Sequence, residues 1–207
     1  MSTTFNIIPV KVDNSLTFQN VLSLAKHTLE NQLTQLSINI SIDFSVNLRH
    51  HKEQYVKQIN PDTKFIWPND EYAWFAAHQS TGGTDAYCRK LLDTLANWET
   101  YIEDNLDAVK VVPNLKQQIM SCEYEWYFRR SAGQAPLINL AYGHLAAAVA
   151  KLTNGYIYSN DGAWNHDIFP VTAEELLKVY FYPDKATDFA DYDLVTRSID
   201  NLRAEFP

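Results

Sequence analysis

The sequence predicts an α+β fold in one domain, with a mixed, mostly antiparallel sheet and helices on at least one face. Two observations carry this prediction. Residues 37 to 46 alternate polar and apolar side chains five times, which is typical of a strand with one buried face. Residues 136 to 152 are apolar on nearly every side and rich in alanine, which is typical of a helix that packs on a sheet and is covered from above.

The N-terminal third predicts a βαβ-like unit. A short run of β-forming residues extends from Phe5 to Val12. Apolar residues then recur at helical spacing from Phe18 to Leu33, and Ser15 or Thr17 is a suitable N-cap for that helix. Together with the strand expected over residues 38 to 46, the order is strand, helix, strand.

The middle of the chain is less regular, because turn-forming Asn-Pro, Trp-Pro-Asn and Gly-Gly sequences interrupt residues 48 to 83. The spacing of apolar residues predicts a short helix from Glu71 to His78 and a longer amphipathic helix from 84 to about 106. Alternation returns from Glu123 to Arg129, where we expect a second well-defined strand.

The C-terminal third begins with the alanine-rich helix, which Asn154-Gly155 should end with Gly155 in the left-handed C′ position. A short strand is expected from Tyr156 to Ser159. Thr172 and Glu175 have the spacing of a capping box at the start of another helix. Residues 183–207 form an acidic helical tail, with its helix over 192 to 204. No repeat or linker divides the chain, so residues 1–207 are expected to form a single domain.

The net charge of −8 is unevenly distributed. Residues 61 to 115 carry four basic and nine acidic residues, and residues 161 to 207 carry four basic and ten acidic residues. If these regions meet, they form an acidic face that attracts a basic partner. The alternative is that acidic residues only keep exposed helices soluble. The overall charge argues against nucleic-acid binding, and no apolar run is long enough to span a membrane.

The acidic regions supply the candidate partner-binding residues, which include one aromatic residue because Trp is a frequent interface anchor. For that Trp the alternative is closure of the core over the alanine-rich helix. The candidates are Asp93, Glu99, Glu103, Asp104, Asp161, Trp164 and Asp167.

Arg129 and Arg130 join the predicted second strand to the alanine-rich helix. An arginine there can form a structural ion pair with Asp161 or Asp167 and so hold the 161–167 loop. It can equally bind an anion or a partner, since a guanidinium suits both tasks.

No metal, cofactor or catalytic motif is present in the sequence, so we expect no cofactor, no metal and no catalytic residue. Two weaker patterns keep a small hydrolase-type enzyme as an alternative. Glu123 and Glu125 would share one strand face, about 6.5–7 Å apart. Cys88 is followed by two basic residues, which can lower a thiol pKa, and His78 is a potential base for it.

Three segments between residues 126 and 181 carry a family resemblance: WYFRRSAGQ at 126 to 134, GHLAAAVAKLTNG at 143 to 155, and YIYSNDGAW at 156 to 164, with Tyr180-Phe181 after them. They resemble a group of small proteobacterial proteins that are encoded near secreted polymorphic or type VI toxins and are regarded as immunity proteins.

The resemblance implies a protein that binds and blocks one cognate toxin, and the acidic charge suits a toxin with a basic surface. Because we see no export signal and the two cysteines are isolated, we expect a cytoplasmic location. An adaptor or chaperone that delivers a secreted effector is a further alternative.

Overall fold

The computed structural model describes residues 2–53, 55–91, 117, 121–165 and 168–206. Within these residues, eight strands form one sheet and four α-helices pack on one of its faces. The elements in chain order are β1 (Thr3–Ile8), α1 (Phe18–Gln35), β2 (Phe44–His50), β3 (Val56–Gln58), β4 (Glu71–Ala77), β5 (Thr84–Lys90), β6 (Tyr124–Arg130), α2 (Pro136–Leu152), β7 (Tyr156–Tyr158), β8 (Val171–Thr172), α3 (Ala173–Val179) and α4 (Phe189–Glu205), with a 3₁₀ turn at Pro183–Lys185 before α4.

The strand order is β3-β2-β4-β5-β6-β1-β7-β8, and all seven neighbouring pairs are antiparallel. The pairings make β1 and β2, which α1 connects, parallel to each other, with β4, β5 and β6 between them. In the same way α2 connects β6 to β7 across β1. The α+β prediction and its βαβ-like opening are therefore confirmed. The two strands of each such unit are parallel, but antiparallel strands lie between them.

Helix α2 lies at the centre of the molecule, and every residue from Leu137 to Ala150 is buried. It packs on β1 and β6 on one side and against α1, α3 and α4 on the others. A Cβ at Gly143 would lie 2.2 Å from the ring of Tyr180, so only glycine lets that ring approach the helix. The Tyr180 hydroxyl donates to the carbonyl of Asn139 at 2.5 Å. The small residues of α2 therefore allow close packing on all sides.

A buried polar contact links α2 to α1. His144 Nε2 lies 2.6 Å from Gln32 Oε1, and His144 Nδ1 lies 2.9 Å from Thr28 Oγ1. Because an amide oxygen only accepts, Nε2 carries the proton. The Gln32 amide nitrogen donates in turn to the carbonyl of Tyr180 at 2.8 Å. Burial lowers the pKa of His144 to about 3, so the imidazole is neutral in the folded protein.

The expected strand over 37 to 46 is wrong for its first part, because β2 begins only at Phe44. Ser37 has a φ of 61°, and the backbone nitrogen of Ile38 donates to Leu33 at the end of α1. Ile42 bonds to the side chain of Glu30 instead of a neighbouring strand. The alternation arises because Ile38 and Ile42 both reach the core from a segment that wraps the end of α1.

The short helix predicted from Glu71 to His78 and the start of the longer helix predicted from residue 84 are wrong as well. Glu71–Ala77 and Thr84–Lys90 are instead strands β4 and β5. In β4, Ala73 and Phe75 point to the helices, and Tyr72 and Trp74 point to the opposite face. A short run that is apolar on both faces satisfies helical and strand spacing equally. The rest of the longer predicted helix lies outside the described residues.

Strand β1 runs from Thr3 to Ile8 and so ends four residues before the predicted Val12. The other elements follow their predictions closely. Strand β6, helix α2, strand β7 and the Thr172–Glu175 capping box are present, and the C-terminal helix starts at Phe189, three residues earlier than predicted. The end of α2 differs, because Asn154 takes the positive φ of 49°. Gly155 is instead required by close packing, since a Cβ there would lie 2.3 Å from the carbonyl oxygen of Ile8.

Substitution Gly143→Ala should lower the free energy of unfolding by about 1–3 kcal/mol, because the added methyl meets the Tyr180 ring in a tightly packed core. Helix propensity alone predicts the reverse, a gain of about 1 kcal/mol. Urea unfolding distinguishes the two. The double variant Gly143→Ala/Tyr180→Leu should lose less than the sum of the two single losses, and a stabilised G143A protein would contradict the packing described.

The buried imidazole predicts a pH dependence. Since the pKa of His144 falls to about 3 on folding from an ordinary value of 6.5, the unfolded chain binds the proton first and stability decreases as the pH falls below 6.5. Between pH 6.5 and 5 the free energy of unfolding should fall by about 2 kcal/mol more in the wild type than in the His144→Gln variant. Urea unfolding at both pH values measures this difference, and equal losses would show that His144 is not buried in its neutral form.

Candidate functional site

Two aromatic side chains on the first turn of α4 are exposed. Phe189 is 83% exposed and Tyr192 is 48% exposed. They are three residues apart and therefore adjacent on one face of the helix. Further along the helix, Val195, Ile199 and Leu202 are buried and anchor it in the core. Among the described residues, Val56 is the one other large hydrophobic residue with comparable exposure.

Four aspartates lie close to these two aromatic residues in the sequence. We call the six residues together the acidic–aromatic patch: Asp184, Asp188, Phe189, Asp191, Tyr192 and Asp193. Asp188 is the N-cap of α4 and accepts from the backbone nitrogen of Asp191 at 2.7 Å. Burial raises the pKa of the half-buried Asp191, and Arg130 opposes this rise. Asp193 pairs with Arg197, and Asp184 pairs with Lys185 at 3.0 Å.

Two of the predicted partner-binding residues stabilise the fold. Trp164 is 2% exposed and packs on the rings of Tyr180 and Phe181, with centroid distances of 5.4 and 6.2 Å. Asp161 accepts hydrogen bonds from the backbone nitrogen of Thr4 at 2.9 Å and from the Ser159 hydroxyl at 3.1 Å. Trp164 therefore closes the core instead of presenting a contact surface, and Asp161 holds the start of β1.

The other predicted partner-binding residues lie outside the described residues. They are Asp93, Glu99, Glu103, Asp104 and Asp167.

The expected ion pair between Arg129 or Arg130 and the 161–167 loop is wrong for Asp161, because neither arginine pairs with that carboxylate. Arg129 Nε donates instead to Asp85 Oδ2 at 3.0 Å, from the strand position directly opposite. Arg130 points to the other face of the sheet, and its Cζ lies 5.7 Å from the ring centroid of Tyr142. Adjacent residues on a strand face opposite sides, which separates the two arginines.

The Cys88/His78 pair does not form. Cys88 is 2% exposed, and burial raises the pKa of its thiol to about 12. His78 lies beyond the Ala77 end of β4, whereas the β4–β5 register puts Cys88 towards the Glu71 end. The exposed ring of His78 lies 4.0 Å from Asp43. A buried neutral thiol without a neighbouring base is a poor nucleophile.

The two carboxylates of the Glu123/Glu125 pair do not line a common cleft. Glu125 is 6% exposed within β6, opposite Arg89 on β5. Glu123 precedes the strand and is exposed. It lines an open cleft of about 380 Å³ with Lys11, Lys64 and Tyr124, and Glu125 is not part of that lining.

The face of the sheet opposite the described helices carries arginine and aromatic residues, which the sequence analysis did not group together. We call this surface the aromatic–arginine face. Its members come from β2, β4, β5 and β6, and they are Arg49, Tyr72, Trp74, Asp85, Tyr87, Arg89, Tyr127 and Arg129.

Rings on this face stack on one another and on guanidinium groups. Tyr87 and Tyr127 are parallel within 4°, with centroids 4.4 Å apart, and Tyr72 stacks on Tyr87 at 5.8 Å. Arg89 Cζ lies 4.1 Å from the Tyr127 centroid, and Arg49 Cζ lies 4.5 Å from that of Trp74. Burial and the Asp85 carboxylate raise the pKa of the Tyr87 hydroxyl to about 12, so it remains protonated.

A sequence signal for this face exists in the alternation of β5 and β6. The alternate residues Asp85, Tyr87 and Arg89 face one side of β5. The alternate residues Glu125, Tyr127 and Arg129 of β6 face the same side. The wrong helix assignment for residues 71 to 90 concealed it, because helical spacing distributes the same residues around a cylinder.

In the described ranges, no group of three or more His, Cys, Asp or Glu residues is arranged to hold a metal ion. None of the helices in these ranges is long and apolar enough to cross a bilayer.

No family model, curated protein or solved structure matches the chain.

Proposed function

We propose that this protein acts by binding another protein through the acidic–aromatic patch, and that it neutralises a secreted toxin in this way. The observation that carries the proposal is the 83% exposure of Phe189 beside Tyr192 in an acidic surrounding. A large aromatic side chain exposed to water costs free energy that a partner recovers on binding. The family resemblance supports the more specific role as an immunity protein.

The chemistry of the patch favours a basic partner. Residues 184 to 193 contain four aspartates and one lysine. Exposed aspartates raise the rate of encounter with a positively charged surface, and this effect weakens with salt. Aromatic residues then contribute most of the affinity once water is excluded around them. A stable complex requires about 800 Å² from each partner, so the contact extends beyond these two rings.

The positions of the aromatic residues suit this role because α4 is held firmly. Val195, Ile199 and Leu202 are buried at 0–3% exposure, and Arg203 donates to the carbonyl of Leu36 at the end of α1 at 3.0 Å. A rigid helix face loses little conformational entropy on binding.

The enzyme and adaptor alternatives make different demands. An enzyme needs its catalytic groups together at an open site, and the described structure separates both candidate pairs. An adaptor would bind an effector without relieving its toxicity, so growth measurements distinguish it from an immunity protein.

Co-expression with the product of the gene directly upstream tests the proposal. We expect the chain to restore growth and to co-purify with that product. Phe189→Ala and Tyr192→Ala should each weaken the complex at least about tenfold, the effect of losing an anchor worth about 1.4 kcal/mol or more. Both residues are exposed, so stability should change by less than about 0.5 kcal/mol.

Val56→Ala is the matched control, because Val56 is 62% exposed and lies on β3 at the edge of the sheet. Its complex should keep wild-type affinity. Full protection and unchanged affinity in the double variant Phe189→Ala/Tyr192→Ala would show that the patch is not the contact surface. A harmless neighbour, or toxicity that the wild-type chain cannot relieve, would count against the immunity role itself.

A further inference from the structure

The aromatic–arginine face is a second surface with a chemistry opposite to that of the acidic–aromatic patch. It lies across the sheet from the helices, and it concentrates three arginines in a chain of net charge −8. Arg89 and Arg129 are exposed, while Tyr72, Trp74, Tyr87 and Tyr127 are half-buried. Arg129 is bound by Asp85, and the buried Glu125 occupies the strand position opposite Arg89. The guanidinium groups considered for a partner are those of Arg49 and of the exposed Arg89.

The guanidinium groups of Arg49 and Arg89 are held in place before any partner arrives. Each lies over an aromatic ring, at 4.5 Å from Trp74 and 4.1 Å from Tyr127. Arg89 also donates to the Tyr127 hydroxyl at 2.7 Å. Stacking of this kind fixes the plane of the guanidinium and leaves its edge donors free to bind oxygen acceptors.

Arg49 shows that a hydrogen-bond acceptor is missing. Its Nε is buried and has no hydrogen-bond partner among the described residues. A buried donor without an acceptor is unfavourable, and a carboxylate bound to the outer N–H groups of the same guanidinium would offset this cost with charge-assisted bonds.

The arrangement does not suit nucleic acid, although aromatic residues on a sheet can stack with bases. Here the ring planes are already stacked: Tyr87 lies against Tyr127 and Tyr72, and the guanidiniums cover Tyr127 and Trp74. The edges of these rings remain for apolar contact.

We infer that the aromatic–arginine face binds an acidic, extended segment of a partner protein, whose carboxylates pair with Arg49 and Arg89 and whose apolar side chain lies on the tyrosines between them. The Cα atoms of Arg49 and Arg89 are separated by two strand spacings across the sheet and about two residues along it, which gives a distance of about 12 Å. Carboxylates four residues apart on an extended segment are about 13 Å apart, with the intervening side chain on the same face. This site is independent of the proposed function.

A labelled peptide with three repeats of Glu-Ser-Phe-Ser is the direct probe, since its Glu and Phe residues share one face when extended. Fluorescence anisotropy with the full chain should show binding that weakens with salt. A peptide with Lys in place of Glu should bind at least about tenfold more weakly. The double variant Arg49→Gln/Arg89→Gln should lose at least about tenfold of the affinity for the Glu peptide.

Arg197→Gln is the control variant, because Arg197 is an exposed arginine on α4, away from this face. Circular dichroism and urea unfolding confirm that each variant is folded. Equal binding of the Glu and Lys peptides, or unchanged binding by the folded double variant, would overturn the inference. Oligothymidylate binding tighter than the Glu peptide would also overturn it, in favour of nucleic acid.

Discussion

The close packing of α2 on every side is the constraint on which the rest of the structure depends. Its residues from Leu137 to Ala150 are buried, so β1 and β6 must cover one side and α1, α3 and α4 the others. Gly143 allows Tyr180 to touch the helix, and the Tyr180 ring in turn packs on Trp164. Because all described helices gather around α2, they occupy one face of the sheet.

Two consequences follow for the surface. Helix α4 covers α2 with the buried residues of its later turns and presents Phe189 and Tyr192 at its N-terminal end, so the acidic–aromatic patch is held by core packing. The opposite face of the sheet carries the Asp85–Arg129 pair and the tyrosine stack. The described structure therefore has an acidic–aromatic surface on α4 and an arginine-rich surface on the sheet, and surfaces of opposite charge favour different partners.

The sequence predicts best where one periodicity has no competitor. The alternation of β6 and the fully apolar α2 specify their structures, and the Thr172–Glu175 capping box locates the start of α3. It fails at β4, because a strand that is apolar on both faces also fits a helix. The pairing of Asp85 with Arg129 depends on strand order, which local patterns do not contain. The burial of Trp164 depends on contacts with Tyr180 and Phe181, which are distant in sequence.

The proposed function requires that the partner binds to the first turn of α4. Hydrogen–deuterium exchange of the chain, alone and in complex with the upstream gene product, locates the contact. Binding at this turn should slow exchange in residues 184 to 193 and leave β3 unchanged. A complex that protects other segments and leaves residues 184 to 193 at their free exchange rate would contradict it.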